Sequence, residues 1–312
     1  MKEIIQISGL CKSYGNFKAV DDLSFSIKKD EIFGFLGPNG AGKTTTVNMI
    51  CGLSKPTGGD IFIHGKRIRR NKEIKSLIGI CPQENVYWKK LTCLEQLIFS
   101  GQSYEMSYKR SKERAIELLE LLGLLEKKDV LASKLSGGMK RRLNICLALI
   151  HDPEIIILDE PEAGLDPQSR ILVRDFIKSL AKRKTVILTT HNMDEADRLA
   201  DRVAVIDRGK LLMLDTPENL KKSIGKGDML EIHLDSSHST DLNTVKRKLS
   251  EEFENVLLND NIIIVRSKNL IERVPEISEI ILNSGSKIRQ MTMRENTLED
   301  VFIFLTGKKL RQ

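Results

Sequence analysis

Over residues 1–220 the apolar positions switch repeatedly between two patterns. Short continuous runs at 31–36, 155–158, 185–188 and 203–206 read as buried strands. Between them apolar residues recur at helical spacing: Leu94, Leu97 and Ile98 share one face, and Ile116, Leu118, Leu119 and Leu122 another. Strands alternating with helices predict an α/β domain around a largely parallel sheet. Residues 3–36 are strand-rich, with runs at 3–8 and 23–27, whereas the stretch from Ile80 to Ser136 turns helical. The expected first domain, 1–224, therefore has a β-rich N-terminal part, an α/β core and an inserted helical subdomain at about 84–150.

Gly225-Lys226-Gly227 marks a boundary, and the pattern beyond it has its own order. A strand at 229–234 is followed by a helix near 242–253. Runs at 256–258 and 262–265 flank Asn259-Asp260-Asn261, a hairpin turn by composition. A helix near 275–282, a strand at 287–293 and a helix at 298–305 complete the chain. The order β-α-β-β-α-β predicts a small α+β, ferredoxin-like domain over 225–312, suited to a regulatory or dimerisation role.

Composition narrows the class. Apolar residues make up 40% of the 312 and charged residues 30%, the balance of a soluble globular protein. No apolar run approaches the roughly 18 residues of a membrane span, and the first residues lack the apolar stretch of a signal peptide. The five cysteines, at 11, 51, 81, 93 and 146, show no paired metal spacing, which suggests reduced core thiols in the cytoplasm. The net charge is +7, yet residues 225–312 hold 13 Lys/Arg against 14 Asp/Glu, so the excess lies in the first domain. No dense basic stripe with interleaved aromatics stands out, and no nucleic-acid partner is expected. A moderate positive excess suits a triphosphate or an anionic membrane surface.

The candidate chemistry begins at Gly37-Pro38-Asn39-Gly40-Ala41-Gly42-Lys43-Thr44, which fits G-x-x-x-x-G-K-[ST]. It lies between the run at 31–36 and a helix expected from Thr45, so backbone N–H groups and a helix N-terminus face an anion. Lys43 supplies a charge for the outer phosphates, and the Thr44 hydroxyl a ligand for Mg²⁺. A glycine-rich turn with a stray lysine would share the letters but not the flanking strand and helix. A dinucleotide fingerprint fails because position 45 is threonine. A P-loop NTPase core follows from these residues. The aliphatic run 155–158 ends in Asp159-Glu160, placing Asp159 to hold Mg²⁺ and Glu160 to orient or deprotonate a water. Leu135-Ser136-Gly137-Gly138-Met139 opens a helix with Ser136 as N-cap and paired glycines that leave N–H groups open to an anion.

Taken together these motifs resemble the ATP-binding subunits of ABC transporters, over the whole of residues 1–220. The resemblance is to the multidrug-type, ABC-2 export branch at Thr190-His191-Asn192-Met193 and at 294–307, where the match is weaker. It implies Walker A at 37–44, Walker B ending at Asp159-Glu160 and the signature motif at 135–139. It further implies that Gln83 is the glutamine that senses Mg²⁺, that 163–166 is the D-loop, that His191 is the switch histidine at the γ-phosphate and that Tyr14 stacks on adenine. By this resemblance Glu160, His191 and Gln83 are catalytic, and Thr44, Gln83 and Asp159 are the metal set. Tyr14, residues 37–45 (Thr45 included) and Ser136, Gly137 and Gly138 contact nucleotide.

The implied cofactors are ATP and Mg²⁺. In the family each ATP lies between the loop of one subunit and the signature of another, so a second ATP-binding subunit is implied. Polytopic membrane permease subunits would be the other partners, met near 83–102, with the chain peripheral on the inner face of the cell membrane. Two positions depart from the usual pattern: Met139 where glutamine is commoner, and Glu162 where threonine or serine is usual. The latter is expected to sit close to Glu160 and alter its proton affinity or the water's position. DNA-acting ABC ATPases carry long coiled coils or zinc modules between loop and signature. Ribosome-binding relatives fuse two ATPase halves. This chain has one loop and one signature, with only 93 positions separating Lys43 from Ser136 and no sustained heptads between.

Overall fold

Strands β1 (Glu3–Tyr14) and β2 (Phe17–Lys28) pair antiparallel around the two-residue turn Gly15-Asn16. In β2, Leu23, Phe25 and Ile27 are buried while Asp22 and Ser24 are exposed, the alternation of a sheet with one face on the core. Both strands run well beyond the expected 3–8 and 23–27, through register shifts that bend the ribbon. With β4 (Gly58–Ile63) and β5 (Lys66–Arg67) they form a four-stranded sheet in the order β2-β1-β4-β5. The computed structural model describes residues 2–68, 74, 76–224, 228–235, 242–267 and 269–307.

The second sheet carries the chemistry. Its six strands are β3 (Ile32–Leu36), β6 (Ile78–Cys81), β7 (Ile155–Asp159), β8 (Thr185–Thr190), β9 (Arg202–Asp207) and β10 (Lys210–Asp215), in the order β10-β9-β3-β8-β7-β6. All neighbours are parallel except the β9/β10 hairpin. Every residue of β3, β7 and β8 is buried, as in a sheet covered on both faces. Helix α1 (Lys43–Ile50) contributes Val47, Met49 and Ile50 to one core shared with both sheets. Phe25, Phe33 and Phe35 pack within it, with ring centroids 5.2–5.5 Å apart.

The expected helical region is α2 (Cys93–Ser103), α3 (Tyr108–Leu121) and α4 (Gly137–Leu149), packed on one another. Thr92 closes a capping box with Glu95 at the start of α2, and Ser107 and Ser136 cap α3 and α4. The helical pattern does not begin at Ile80, as expected. Ile78–Cys81 is the edge strand β6, because a four-residue buried run carries no periodicity to tell it from helix. Helix α4 lies hard against it: a Cβ on Gly79 would stand 2.0 Å from the Ala148 carbonyl oxygen. Helices α5 (Pro167–Leu180) and α6 (Met193–Leu199) follow β7 and β8.

The chain divides into two compact units between Pro217 and Glu218, ahead of the boundary expected at 225; Gly225-Lys226-Gly227 itself lies outside the described residues. The second unit opens with the remainder of α7 (Pro217–Ser223). Then come β11 (Asp228–Leu234), α8 (Leu242–Glu252), β12 (Asn255–Asn259), β13 (Ile262–Ser267), α9 (Leu270–Leu282), β14 (Ile288–Arg294) and α10 (Leu298–Thr306). The antiparallel order β12-β13-β11-β14 gives the β-α-β-β-α-β arrangement expected from the sequence. Its own core joins Leu230, Ile232 and Leu234 to Val245, Leu249, Ile277 and Ile281. Helix α9 starts at Leu270, not near Pro275. Leu270, Ile277 and Ile281 form one buried stripe, whose packing outweighs the hydrogen bond that Pro275 removes.

Among the described residues the core cluster shared by the first unit's two sheets includes none after Leu214. A chain ending at Pro217 should therefore melt cooperatively and bind ATP with the affinity of the full chain. Calorimetry on both would check this. Loss of the cooperative melt would contradict an independently folding first unit.

Candidate active site

The loops that follow β3, β6, β7 and β8 leave the same edge of a parallel sheet in which those strands lie in the order β3-β8-β7-β6. Residues far apart in sequence meet there, at the carboxyl ends of the strands.

After β3 the chain runs through residues 37–42 into α1. Gly42 has φ 102°, and a Cβ there would stand 2.5 Å from the Ala19 carbonyl oxygen, so the turn admits glycine alone. The first turn of α1 contains no acidic residue and no side chain caps it, which leaves its dipole end to an external anion. Lys43 is buried, and its Nζ donates to the carbonyls of Gly37 (2.6 Å) and Pro38 (3.0 Å), curling the ammonium over the loop. Burial lowers its pKa, while the carboxylates of Glu160 and Asp159 pull the other way.

Two successive carboxylates end β7 and part company. The Thr189 hydroxyl donates to Asp159 Oδ1, and the Thr44 hydroxyl lies 3.5 Å from Oδ2. Glu160 takes a left-handed backbone, φ 50°, with its N–H on the Thr189 carbonyl at 2.9 Å. A non-glycine residue in that region costs about 1–2 kcal/mol. The turn swings the Glu160 carboxylate toward the neighbouring loops. Gln83 Nε2 donates to its Oε2 at 2.9 Å, and His191 Nδ1 lies 2.6 Å from its Oε1.

A cavity of about 220 Å³ opens over these groups. Tyr14, Asn39, Gly40, Gly42, Lys43, Thr44, Thr45, Gln83, Asp159 and Glu160 all line it. His191 joins them through Glu160, and Gly37 and Pro38 through Lys43. Ala41 is buried beneath the loop, its carbonyl accepting from Gly209 N–H at 2.9 Å. Ser136, Gly137 and Gly138 do not line this cavity. Ser136 accepts from Met139 N–H at 3.3 Å as the cap of α4, and Gly138 packs beside Asp166 and Ser169 at the start of α5.

The family model described as ABC transporter matches residues 20–163. The linearmycin resistance ATP-binding protein LnrL of Bacillus subtilis is 36% identical over 313 aligned residues, covering 99% of this chain and 100% of the relative. The Nod factor export ATP-binding protein I of Sinorhizobium fredii is 36% identical over 98% of this chain and 87% of its own. The daunorubicin/doxorubicin resistance ATP-binding protein DrrA of Streptomyces peucetius is 35% identical over 97% and 92%. The chain belongs to the ATP-binding subunits of ABC transporters. Among solved structures, cbiO1 from Clostridium perfringens, part of the ABC transporter complex cbiONQ, superposes with a TM-score of 0.66 at 26% identity, over 72% of this chain and 92% of that one. The ATP-binding cassette MJ0796, in a dimeric post-hydrolysis state bound to ADP and Pi, superposes with a TM-score of 0.63 at 27% identity over 68% and 98%. As an ABC ATP-binding subunit this chain binds nucleotide and hydrolyses ATP, and subunits of its family work as dimers with membrane permease components. Among the described residues no helix is long and apolar enough to cross a membrane.

The site of this ABC subunit also contains residues that sequence reading did not single out. Phe17 lines the cavity beside Tyr14, and the two are cross-strand partners at the β1/β2 turn, a pairing that the two-residue spacing encodes. Thr189 holds Asp159 from inside an apolar strand. Glu162, expected to act on Glu160, is buried and engaged elsewhere: Arg174 grips it with two bonds of 2.9 and 2.7 Å. Beside it lies Glu195 of α6, which accepts from the Thr190 hydroxyl at 2.5 Å. Burial, with the Glu162 and Glu160 carboxylates adding to it, pushes the Glu195 carboxyl up to about 7.

A folded-state pKa of about 7 against 4.5 for the free group means that the native state holds an extra proton between those values. The stabilisation is fully present below 4.5 and is lost as pH rises through 7. Glu195→Gln, which cannot lose a proton, should gain about 2 kcal/mol on wild type between pH 5 and pH 8, read from denaturant melts. A difference that does not change with pH would show that Glu195 titrates normally.

Proposed function

We propose that this chain is the ATP-hydrolysing subunit of an export system. It pairs with a second ATP-binding subunit on the inner face of the cell membrane and drives separate polytopic permease subunits. Relatives named for drug resistance and for Nod factor export, aligned over nearly the full chain, support the export direction. The loop at 37–45 cradles the phosphates, with Lys43 at the outer ones and Tyr14 against the base. Ser136, Gly137 and Gly138, lying off the cavity, serve the nucleotide held by the paired subunit.

The donor set fits Mg²⁺. The Thr44 hydroxyl and Asp159 carboxylate present hard oxygens 3.5 Å apart, and Gln83, with its NH₂ spent on Glu160, has its carbonyl oxygen to offer. Among the described residues no cluster of three His, Cys, Asp or Glu side chains could hold a metal unaided, which agrees with a cation that arrives with the substrate's phosphates. Such an ion neutralises charge on the β- and γ-phosphates.

The observation that carries the catalytic assignment is the convergence of Gln83 and His191 on the two oxygens of Glu160. A carboxylate held at both ends points its remaining lone pairs in a fixed direction, as a general base needs. Glu160 takes the proton from the attacking water, Gln83 orients it, and His191 reports the γ-phosphate. The loop after β6 and helix α2 present Val86, Trp88 and Phe99 to solvent, with Trp88 and Phe99 in edge contact at 5.3 Å. This apolar surface, at 83–102, is the docking face for the permease. The domain at 225–312, with its own core and none of the nucleotide groups, acts in dimerisation or regulation.

Glu160→Gln should lower kcat by about 10²-fold or more while ATP affinity by calorimetry stays within roughly threefold, under 1 kcal/mol. A rate within about threefold of wild type would remove Glu160 as the base. Lys43→Ala should instead weaken ATP binding itself, and unchanged affinity would show that the loop is not the phosphate site.

A further inference from the structure

Strands β6 and β7 pair in register up to Cys81 opposite Leu158, and there the ladder stops. The next residues, Pro82-Gln83 on one strand and Asp159-Glu160-Pro161 on the other, carry two of the groups that must meet, yet no ladder bond joins their backbones. One side chain spans the gap. Arg141, in the second turn of α4, is buried, and its guanidinium donates to four main-chain carbonyls. Nη1 donates to Pro82 O and to Gln83 O (3.2 Å), Nη2 to Asp159 O, and Nε to Pro161 O (3.4 Å). None of these four partners is a carboxylate, so its charge is spent on backbone dipoles.

The same helix holds the loop a second time. Asn144 Oδ1 accepts from Val86 N–H at 2.8 Å, while its own Nδ2 is tied to the Lys140 carbonyl at 2.9 Å. The helix in turn is seated on β6 by the contact at Gly79, two turns from Arg141 on the same face. The 2.9 Å contact of Gln83 Nε2 with Glu160 Oε2 is thus built from a fixed helix, a rigid planar fork and two backbone segments. A lysine at 141 could reach one or two of these carbonyls but could not bridge them, because an ammonium on a flexible stem lacks the planar fork.

We propose that Arg141 is a positioning residue for hydrolysis: it replaces the missing ladder bonds between the ends of β6 and β7 and so fixes Gln83 against Glu160. Among the described residues none of its hydrogen bonds reaches the phosphate cradle at 39–45, so its loss lowers turnover and leaves ATP binding intact. This rests on the reading of Gln83 and Glu160 given above.

The test uses the full chain and compares Arg141→Lys, Gln83→Ala, their double variant and Glu160→Gln, each by thermal melt, ATP calorimetry and steady-state ATPase. Arg141→Lys should melt cooperatively, keep its Kd for ATP within about threefold and lose about tenfold or more in kcat. Since Arg141 acts through Gln83, the double variant should lie within about twofold of the slower single variant. Losses that multiply in the double variant, or an Arg141→Lys kcat within about twofold of wild type, would overturn the proposal. If Arg141→Lys does not fold, Arg141→Gln carries the same comparison, and failure of both to melt cooperatively assigns Arg141 to stability and overturns its positioning role. An unchanged kcat in Glu160→Gln would instead overturn the site reading, and the positioning role with it. A lowered kcat there, with multiplied losses, overturns the role of Arg141 alone.

Discussion

The turn at the end of β7 is the constraint on which the rest of the site depends. Two carboxylates in sequence on one strand would point to opposite faces of the sheet. Because Glu160 leaves the strand with φ 50°, Asp159 stays with Thr44 and Thr189 while Glu160 reaches the loops of two neighbouring strands. Adjacent carboxylates thereby acquire different partners. The cost, about 1–2 kcal/mol of backbone strain, is offset by the bond from Glu160 N–H to Thr189 O and by the partners on both oxygens. Extended backbone at position 160 would place the carboxylate away from both Gln83 and His191.

The scaffold around this turn consists of buried polar groups that hold main chain. Thr189 secures Asp159 from β8, and Thr190 ties the start of the His191 segment to Glu195. Arg174 retains Glu162 just beyond Glu160. Thr189, Thr190, Arg174 and Glu162 each find a specific partner, while Glu195 is held through Oε2 and its buried Oε1 has none among the described residues. A buried polar group that finds its partner rigidifies its surroundings. The two groups that meet Glu160 are more accessible than Glu160 itself, which is buried: His191 is 51% exposed at its side chain, and Gln83 is exposed as well. Rigid support beneath reachable chemistry is the division of labour expected of a site that must open and close on a substrate.

The legible parts of the sequence were those whose geometry is local. The loop at 37–44 carries its own glycines, lysine and following helix, so its structure can be read within one stretch. Ser136 was readable as a cap because capping is decided within three residues. The β-α-β-β-α-β order of the second unit followed from turn chemistry and alternation. What escaped was what depends on distant partners. Ile78–Cys81 could not be told from helix until its pairing with β7 was known. Arg141 sits in a run of basic residues, Lys140-Arg141-Arg142, in which nothing local marks the one that is buried. The partner of Glu162 escaped for the same reason, since nothing near it in sequence points to Arg174 one helix away. Pro275 gave a false start to α9 because a local rule was outweighed by the burial of Leu270.

Ser136, Gly137 and Gly138 lie off a cavity that already contains the phosphate loop, the metal candidates and Glu160. On the proposed reading one chain supplies half of each composite site, and ATP is the bond to a second ATP-binding subunit. The most direct measurement is the mass and nucleotide content of Glu160→Gln protein incubated with Mg²⁺ and ATP, by light scattering and chromatography of the bound nucleotide. The account predicts a species of twice the chain mass that carries unhydrolysed ATP, falling to single-chain mass when Lys43→Ala is added. A single-chain species under the same conditions, or a dimer filled with ADP, would contradict it.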